Sequence, residues 1–123
     1  MRLWVDDLRI EPEGWTRART FSEARAAIEA CFDGGGDLEW ISLDHDLGDF
    51  TGPGGREMTG GDVALLLAER AFHGGSVPGR LSVHSSNPPG RQAILSVFER
   101  HLVPCGTELA EAPAWRGTED PKD

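Results

Sequence analysis

The chain has 123 residues, 38% of them apolar, and a formal net charge of −9 from 12 basic and 21 acidic residues. This length and composition predict a single globular domain. The acidic balance argues against a broad interface with duplex DNA or RNA, because such an interface needs a basic face that displaces counterions. The same balance is compatible with a plain solubility role, or with a small phosphorylated ligand held through a divalent cation.

The first half of the chain predicts two buried strands with an edge strand and a helix between them. Residues 3–5 and 38–43 are mostly apolar and both runs stop at aspartates, which is typical of buried parallel strands that end at a polar rim. Between them, residues 15–19 fit an edge strand. A capping box at Thr20 and Glu23 opens the helix.

The second half predicts a glycine-rich loop over residues 47–58 and then two helices around a third buried strand. The first of these helices covers residues 63–72, and the strand covers residues 81–83. Pro88 and Pro89 follow the strand, and proline is tolerated at this place because the first turn of a helix needs no backbone N–H donor.

Strands that alternate with helices predict an α/β fold with a parallel sheet and right-handed crossovers. We expect the domain to cover residues 1–107, followed by an acidic tail at residues 108–123 whose one strong anchor is Trp115. In open parallel sheets, ligands bind beyond the carboxyl ends of the strands. Polar clusters follow all three clear strands at that end, so we expect these clusters to converge on one site.

Four aspartates follow the first two buried strands and form the predicted metal site: Asp6, Asp7, Asp44 and Asp46. Carboxylates this close repel each other, and a hard cation removes that conflict. Magnesium binds one or two carboxylates together with water and phosphate oxygens, so the predicted cofactor is a divalent metal, Mg²⁺ or Mn²⁺. The alternative for any one aspartate is the capping of a turn or a helix, and for Asp46 also the orientation of a histidine.

His45 and His84 each directly join one of the polar clusters at the strand ends. Two histidines placed across a phosphodiester can act as general base and general acid near neutral pH. We therefore predict that they are the catalytic pair. The alternative for each is a structural hydrogen bond or a ring on the surface.

Five residues form the predicted phosphate-binding set. Ser85, Ser86 and Asn87 precede a helix start, where hydroxyls and free backbone N–H groups make an anion site. Arg9 and Arg91 are the nearest basic residues to two of the clusters, and a guanidinium can hold phosphate oxygens in a bidentate manner. The alternatives are a helix cap without a ligand and two surface arginines.

The two cysteines, Cys31 and Cys105, form no CxxC pair, so neither a zinc site nor a redox motif is predicted. They fit the reduced thiols of a cytosolic protein, and we predict a cytoplasmic location. The first residues contain no apolar core of a signal peptide, and no apolar run approaches membrane-spanning length. We therefore expect no membrane partner.

Several of these segments together resemble a known family. They are residues 6–9 (Asp-Asp-Leu-Arg), residues 42–48 (Ser-Leu-Asp-His-Asp-Leu-Gly), the helix start at Thr59 and residues 84–88 (His-Ser-Ser-Asn-Pro). In this combination they resemble the cyclic-phosphate processing receiver domain, a variant of the response-regulator receiver fold. The resemblance implies a three-layer, flavodoxin-like parallel sheet of about four strands flanked by helices.

The sequence departs from the receiver pattern in two places. Pro12 and Gly14 fill the gap where the first helix is expected, so that helix is predicted to be degenerate. In the resemblance, Asp44 matches the phospho-accepting position and Ser85 approximates the switch hydroxyl. A phospho-accepting receiver also uses a lysine at the end of a fifth strand, whereas here the only lysine is Lys122 and the fifth strand is predicted to be weak or absent.

The resulting hypothesis is a metal-dependent phosphoesterase that acts on a cyclic phosphate of a nucleotide or RNA end. The aspartates would hold the metal and the two histidines would serve as acid and base. The partner is then a small phosphorylated or cyclic-phosphate ligand, or an RNA terminus. Three alternatives stay open: a sensor that binds such a ligand without cleaving it, a phospho-accepting receiver domain, and a protein whose acidic rim only contacts a partner.

Overall fold

The computed structural model describes residues 1–119 and contains a five-stranded parallel sheet within them. The strands are β1 (Arg2–Val5), β2 (Arg9–Ile10), β3 (Thr16–Ala18), β4 (Trp40–Leu43), β5 (Arg80–Val83), β6 (Glu108–Leu109) and β7 (Gly117–Thr118). The sheet has the order β3-β1-β4-β5-β6, and β2 and β7 form a separate antiparallel ribbon. This order is that of flavodoxin-like sheets. The predicted receiver-like α/β fold is therefore confirmed.

The helices of the described chain cover one face of this sheet. They are α1 (Phe21–Asp33), α2 (Gly60–Phe72) and α3 (Pro88–Val97), and α3 continues into a π-helical turn at Phe98–Leu102. Alternate strand residues on that face, such as Leu3, Ile41 and Leu81, are fully buried against them. Thr20 and Thr59 are the N-caps of α1 and α2, as predicted. Within residues 1–119 no helix is long and apolar enough to cross a membrane.

The opposite face of the sheet is covered by tryptophans and the β2–β7 ribbon. Trp4 is fully buried there, and the centroid of its ring lies 5.9 Å from that of Trp15. The Trp15 ring lies 5.0 Å from Trp40, whose Nε1–H donates to Ser82 Oγ at 2.7 Å. The layer on this face therefore consists of aromatic side chains and irregular chain. The first helix of the receiver pattern, predicted to be degenerate, is replaced here by a loop and the β2–β7 ribbon.

Residues 108–119 form part of the folded structure. Their first two residues form β6, which pairs in parallel with β5 as the fifth strand of the sheet. Its length of two residues agrees with the prediction that this strand is weak or absent. Their last residues make β7, and Glu119 accepts hydrogen bonds from Arg17 at 2.8 Å and from Arg19 at 2.7 Å. The predicted acidic tail therefore contributes to both β structures, while its residues 120–123 lie outside the described chain.

Candidate functional site

Three aspartates come together at the carboxyl ends of β1 and β4. Asp6 and Asp7 directly follow β1, Asp44 directly follows β4, and the pairing of Val5 with Leu43 places the two strand ends side by side. One carboxylate oxygen from each aspartate lies within 4.8 Å of the other two. Hard oxygen donors of this kind are the ligands that Mg²⁺ and Mn²⁺ prefer. The three aspartates, called the aspartate cluster below, therefore fit a divalent cation.

The aspartate cluster forms part of the wall of a cavity of about 370 Å³. The other residues of the wall are Leu8, Arg9, Asp46, Gly48, Ser86 and Thr118. Four carboxylates thus face one guanidinium around this space. An anion that enters the cavity meets a net negative environment unless a cation is bound there.

Arg9 supplies the positive charge of the cavity wall. Its Nη1 lies 3.1 Å from Asp6 Oδ2 and 3.5 Å from Asp44 Oδ2. Asp6 Oδ1 also accepts hydrogen bonds from the backbone N–H groups of Leu8 and Arg9, at 2.7 and 2.8 Å. Asp6 therefore stabilises the turn after β1. This turn places the Arg9 guanidinium next to the aspartate cluster, whose negative charge it partly neutralises.

Burial and hydrogen bonding shift the pKa values of the aspartate cluster in different directions. Burial raises the pKa of Asp44 to about 6, and repulsion from Asp6 adds to this shift. Burial also raises the pKa of Asp7 above its ordinary value. Burial acts in the same direction on Asp6, but hydrogen bonds from His84 and from backbone N–H groups outweigh it and lower its pKa. Two of the three carboxylates are thus destabilised in their charged form, which a bound cation would relieve.

His84 lies beneath the aspartate cluster and not in the cavity wall. Its side chain is 0% exposed, and its Nε2 and Nδ1 lie 3.0 Å from Asp6 Oδ2 and 2.8 Å from Ser42 Oγ. Burial lowers the pKa of His84, although the hydrogen bond with Asp6 opposes this shift. Both ring nitrogens of His84, predicted as one of the catalytic pair, thus contact protein atoms inside the fold. The ring therefore contacts Asp6 from the buried side of the cluster.

His45 lies between the first turns of α2 and α3. A side chain at Gly90 would overlap the His45 ring, and a Cβ at Gly61 would lie 3.9 Å from His45 Nε2. The side chain is 22% exposed, and Nδ1 lies 3.0 Å from Asp46 Oδ1. His45 is absent from the cavity wall, whereas Asp46 is part of it. The imidazole is therefore connected to the cavity through the Asp46 carboxylate.

Asp46 stands apart from the aspartate cluster and joins His45 to the start of α3. Its Oδ2 accepts a hydrogen bond from Asn87 Nδ2 at 3.0 Å, and Asn87 Oδ1 accepts the Gly90 N–H at 3.0 Å as the N-cap of α3. Hydrogen bonds from His45 and Asn87 lower the pKa of Asp46. Of the alternatives open for Asp46, the geometry favours orientation of a histidine over metal binding.

The other residues of the predicted phosphate-binding set differ in position. Arg9 and Ser86 belong to the cavity wall. The Ser85 hydroxyl accepts the N–H of Asn87 at 3.1 Å and so shapes the turn before α3. Arg91 Nη1 donates to the last carbonyl oxygen of β5 at 2.7 Å, and Arg91 is absent from the cavity wall. Arg9 and Ser86 therefore face the cavity, whereas Asn87 caps α3 and Arg91 contacts the end of β5. The Ser85 side chain also hydrogen-bonds to the Asp44 carboxylate.

Sequence reasoning missed three site residues that only the fold brings together. The Trp115 ring centroid lies 5.1 Å from Arg9 Cζ, and Thr118 is part of the cavity wall. Arg17 Nε donates to the backbone carbonyl of Asp6 at 3.1 Å. No local motif marks these residues, because they reach the site through the pairing of β1 with β3 and of β2 with β7.

A sequence model of one known family, the cyclic-phosphate processing receiver domain, matches residues 1–100. This match covers most of the chain and includes every predicted site residue. The chain belongs to this family. No curated protein and no solved structure gives a significant match to it.

In this cyclic-phosphate processing receiver domain, the family match ends before β6 and β7 begin. The aspartate cluster, Arg9, His45 and His84 lie inside the match. Thr118 and Trp115 lie beyond it. Thr118 thus contributes to the cavity wall from outside the family match.

Proposed function

We propose that this protein is a metal-dependent phosphoesterase that opens a cyclic phosphate of a nucleotide or an RNA end. The observation that carries the proposal is the aspartate cluster, whose three ligand oxygens lie within 4.8 Å of one another in the wall of an open cavity. Membership of the cyclic-phosphate processing family supports the ligand class. The proposed cofactor is Mg²⁺ or Mn²⁺, held by Asp6, Asp7 and Asp44.

Charge balance supports the need for a metal. Arg9 contributes one positive charge against four carboxylates in the cavity wall. A cyclic phosphodiester carries a negative charge, so its entry into this space is unfavourable until a cation compensates the carboxylates. A bound divalent ion would supply Lewis-acid chemistry, polarising a phosphoryl oxygen and lowering the pKa of water.

The protein side chains hold the ligand and move the proton. Arg9 and Ser86 would bind nonbridging phosphate oxygens from the cavity wall. Of the two histidines, we assign proton transfer to His45, which would act through Asp46. The Asp46 carboxylate faces the cavity and contacts Nδ1 of the His45 ring. His84 keeps Asp6 ionised and oriented from below, which assigns it a positioning role.

The proposal is tested by turnover of 2′,3′-cyclic mononucleotides, followed by ³¹P NMR with and without Mg²⁺ or Mn²⁺. We expect metal-dependent ring opening by the wild type and a loss of at least about a hundredfold in the His45→Ala and Asp7→Asn variants. His101→Ala changes an exposed histidine far along the chain and is the matched control. A wild type that binds the metal but leaves the whole panel intact would refute the proposal.

Two other outcomes would identify the alternatives. Saturable calorimetric binding of a ligand that stays intact would indicate a sensor. Phosphorylation of Asp44 by acetyl phosphate would indicate a receiver, which the lack of any lysine before Lys122 argues against.

A further inference from the structure

An exposed tryptophan packs beside Arg9, a residue of the cavity wall, and has no role in the proposed chemistry. Trp115 is 41% exposed, whereas Trp4 is 0% and Trp15 is 8% exposed. Single exposed apolar side chains are common, so exposure alone assigns no function. The position of Trp115 relative to the cavity is what gives it one.

Trp115 packs against Arg9, the arginine that forms ion pairs with the aspartate cluster. Arg9 Cζ lies 5.1 Å from the centroid of the indole, and the same guanidinium contacts Asp6 at 3.1 Å and Asp44 at 3.5 Å. Thr118, three residues after Trp115, is itself part of the cavity wall. The indole is therefore one side chain away from the place proposed for the phosphate.

The segment that directly follows Trp115 is fixed to the rest of the fold. Arg116 Nε donates to the Glu11 carbonyl oxygen at 2.7 Å, directly after the tryptophan. Further on, β7 pairs with β2 and Glu119 accepts a hydrogen bond from Arg17 at 2.8 Å. The indole is thus presented on a held segment, which lowers the entropy lost when a ligand packs against it.

We propose that Trp115 stacks on the base of a nucleoside cyclic phosphate whose phosphate lies against Arg9 and the aspartate cluster. This inference rests on the proposed function, and it adds a specificity-determining residue outside the family match. Every nucleobase presents a π face to an aromatic side chain, so stacking selects for a base without selecting among bases. The site would therefore prefer nucleoside cyclic phosphates over cyclic phosphates that carry no base.

The test compares adenosine 2′,3′-cyclic phosphate with glycerol 1,2-cyclic phosphate, which has the same ring and lacks a base. Affinity, or KM where turnover occurs, is measured for the full chain with Mg²⁺. The variants are Trp115→Phe, which keeps an aromatic face, and Trp115→Leu, which keeps apolar cover only. Trp40→Phe is the matched control, because Trp40 lies on the same face of the sheet but packs against Arg80 instead of Arg9.

We expect the wild type to prefer the adenosine ligand, and Trp115→Leu to weaken that ligand by roughly 5- to 100-fold while the glycerol ligand changes less than about twofold. Trp115→Phe and Trp40→Phe should keep most of the preference. Equal weakening of both ligands by Trp115→Leu would mean that Trp115 only positions Arg9, and would overturn the inference. A glycerol ligand that binds as tightly as the adenosine ligand would overturn it too, while leaving the proposed function intact. If neither ligand bound, both proposals would fall.

Discussion

The imidazole of His84 lies flat on the indole of Trp4, with ring centroids 3.7 Å apart and planes inclined by 4°. This stack fixes the ring whose Nε2 lies 3.0 Å from Asp6 Oδ2. Trp4 in turn donates its Nε1–H to the backbone carbonyl of Arg9 at 3.0 Å. One buried pair of rings on the aromatic face of the sheet therefore supports both an aspartate and an arginine of the candidate site.

Replacing His84 by Ala should destabilise the fold. The change removes the contacts of His84 with the buried Asp6 carboxylate and the Ser42 hydroxyl and opens space against Trp4. We expect the free energy of unfolding to fall by about 2–4 kcal/mol. Urea denaturation measures this, with exposed His73→Ala as a control that should change it by less than about 0.5 kcal/mol. A shift of similar size in both variants would contradict the structural role of His84.

Asp49 should stabilise the fold in a pH-dependent way. Its Oδ2 accepts the Phe21 N–H at the start of α1 at 3.0 Å, and its Oδ1 accepts the Thr51 N–H at 3.1 Å. Hydrogen bonds from Thr51 lower the pKa of Asp49 below 3.8. This stabilisation is fully present above 3.8 and is lost as the pH falls through the lowered pKa of the folded state.

The Asp49→Asn variant tests this dependence. At neutral pH it should lower the free energy of unfolding by about 1–2 kcal/mol, and the difference from wild type should shrink towards pH 2 or so. Asp37→Asn, at an exposed aspartate, is the control. A difference that stays constant down to the acid limit would show that the charge of Asp49 does not contribute.

Substitution of two adjacent glycines at the start of α2 by alanine should change the free energy of unfolding by different amounts. A Cβ at Gly60 would overlap the Asp44 carbonyl, whereas at Gly61 the nearest atom is the Thr59 hydroxyl at 3.2 Å. We expect Gly60→Ala to cost more than about 2 kcal/mol because backbone must move, and Gly61→Ala to be neutral or stabilising by up to about 1 kcal/mol. Thermal unfolding of the two variants compares them. Tolerance of Gly60→Ala would mean that α2 does not approach the site this closely.

Removing one carboxylate from the aspartate cluster should weaken metal binding. Asp7→Asn keeps the size of the side chain but removes a charged oxygen donor. We expect Mn²⁺ affinity, measured by the loss of the free-ion EPR signal, to fall by roughly tenfold or more. Asp33→Asn, at an exposed aspartate at the end of α1, should leave it unchanged. Equal affinity in both variants would place the ion outside the cluster.

Local patterns predicted most of the framework of the fold. The apolar runs that end at Asp6, Asp44 and His84 became β1, β4 and β5, because fully buried parallel strands leave an unmistakable apolar signature. The N-caps at Thr20 and Thr59 were equally readable, since capping depends on residues within one turn of the helix. The fifth strand was predicted to be weak or absent, and its two residues fall in the predicted tail because so short a strand carries little pattern.

The sequence alone placed the aspartates at one edge of a parallel sheet, because the order of strands and polar residues along the chain determines which ends converge. It could not say which side chain faces the cavity and which is buried. Tertiary packing decided that His84 lies under the cluster against Trp4, and that His45 reaches it only through Asp46. It also brought Thr118 into the cavity wall through the β2–β7 pairing and Trp115 against Arg9. Contacts between residues a hundred positions apart leave no local signal, since only the closed fold creates them.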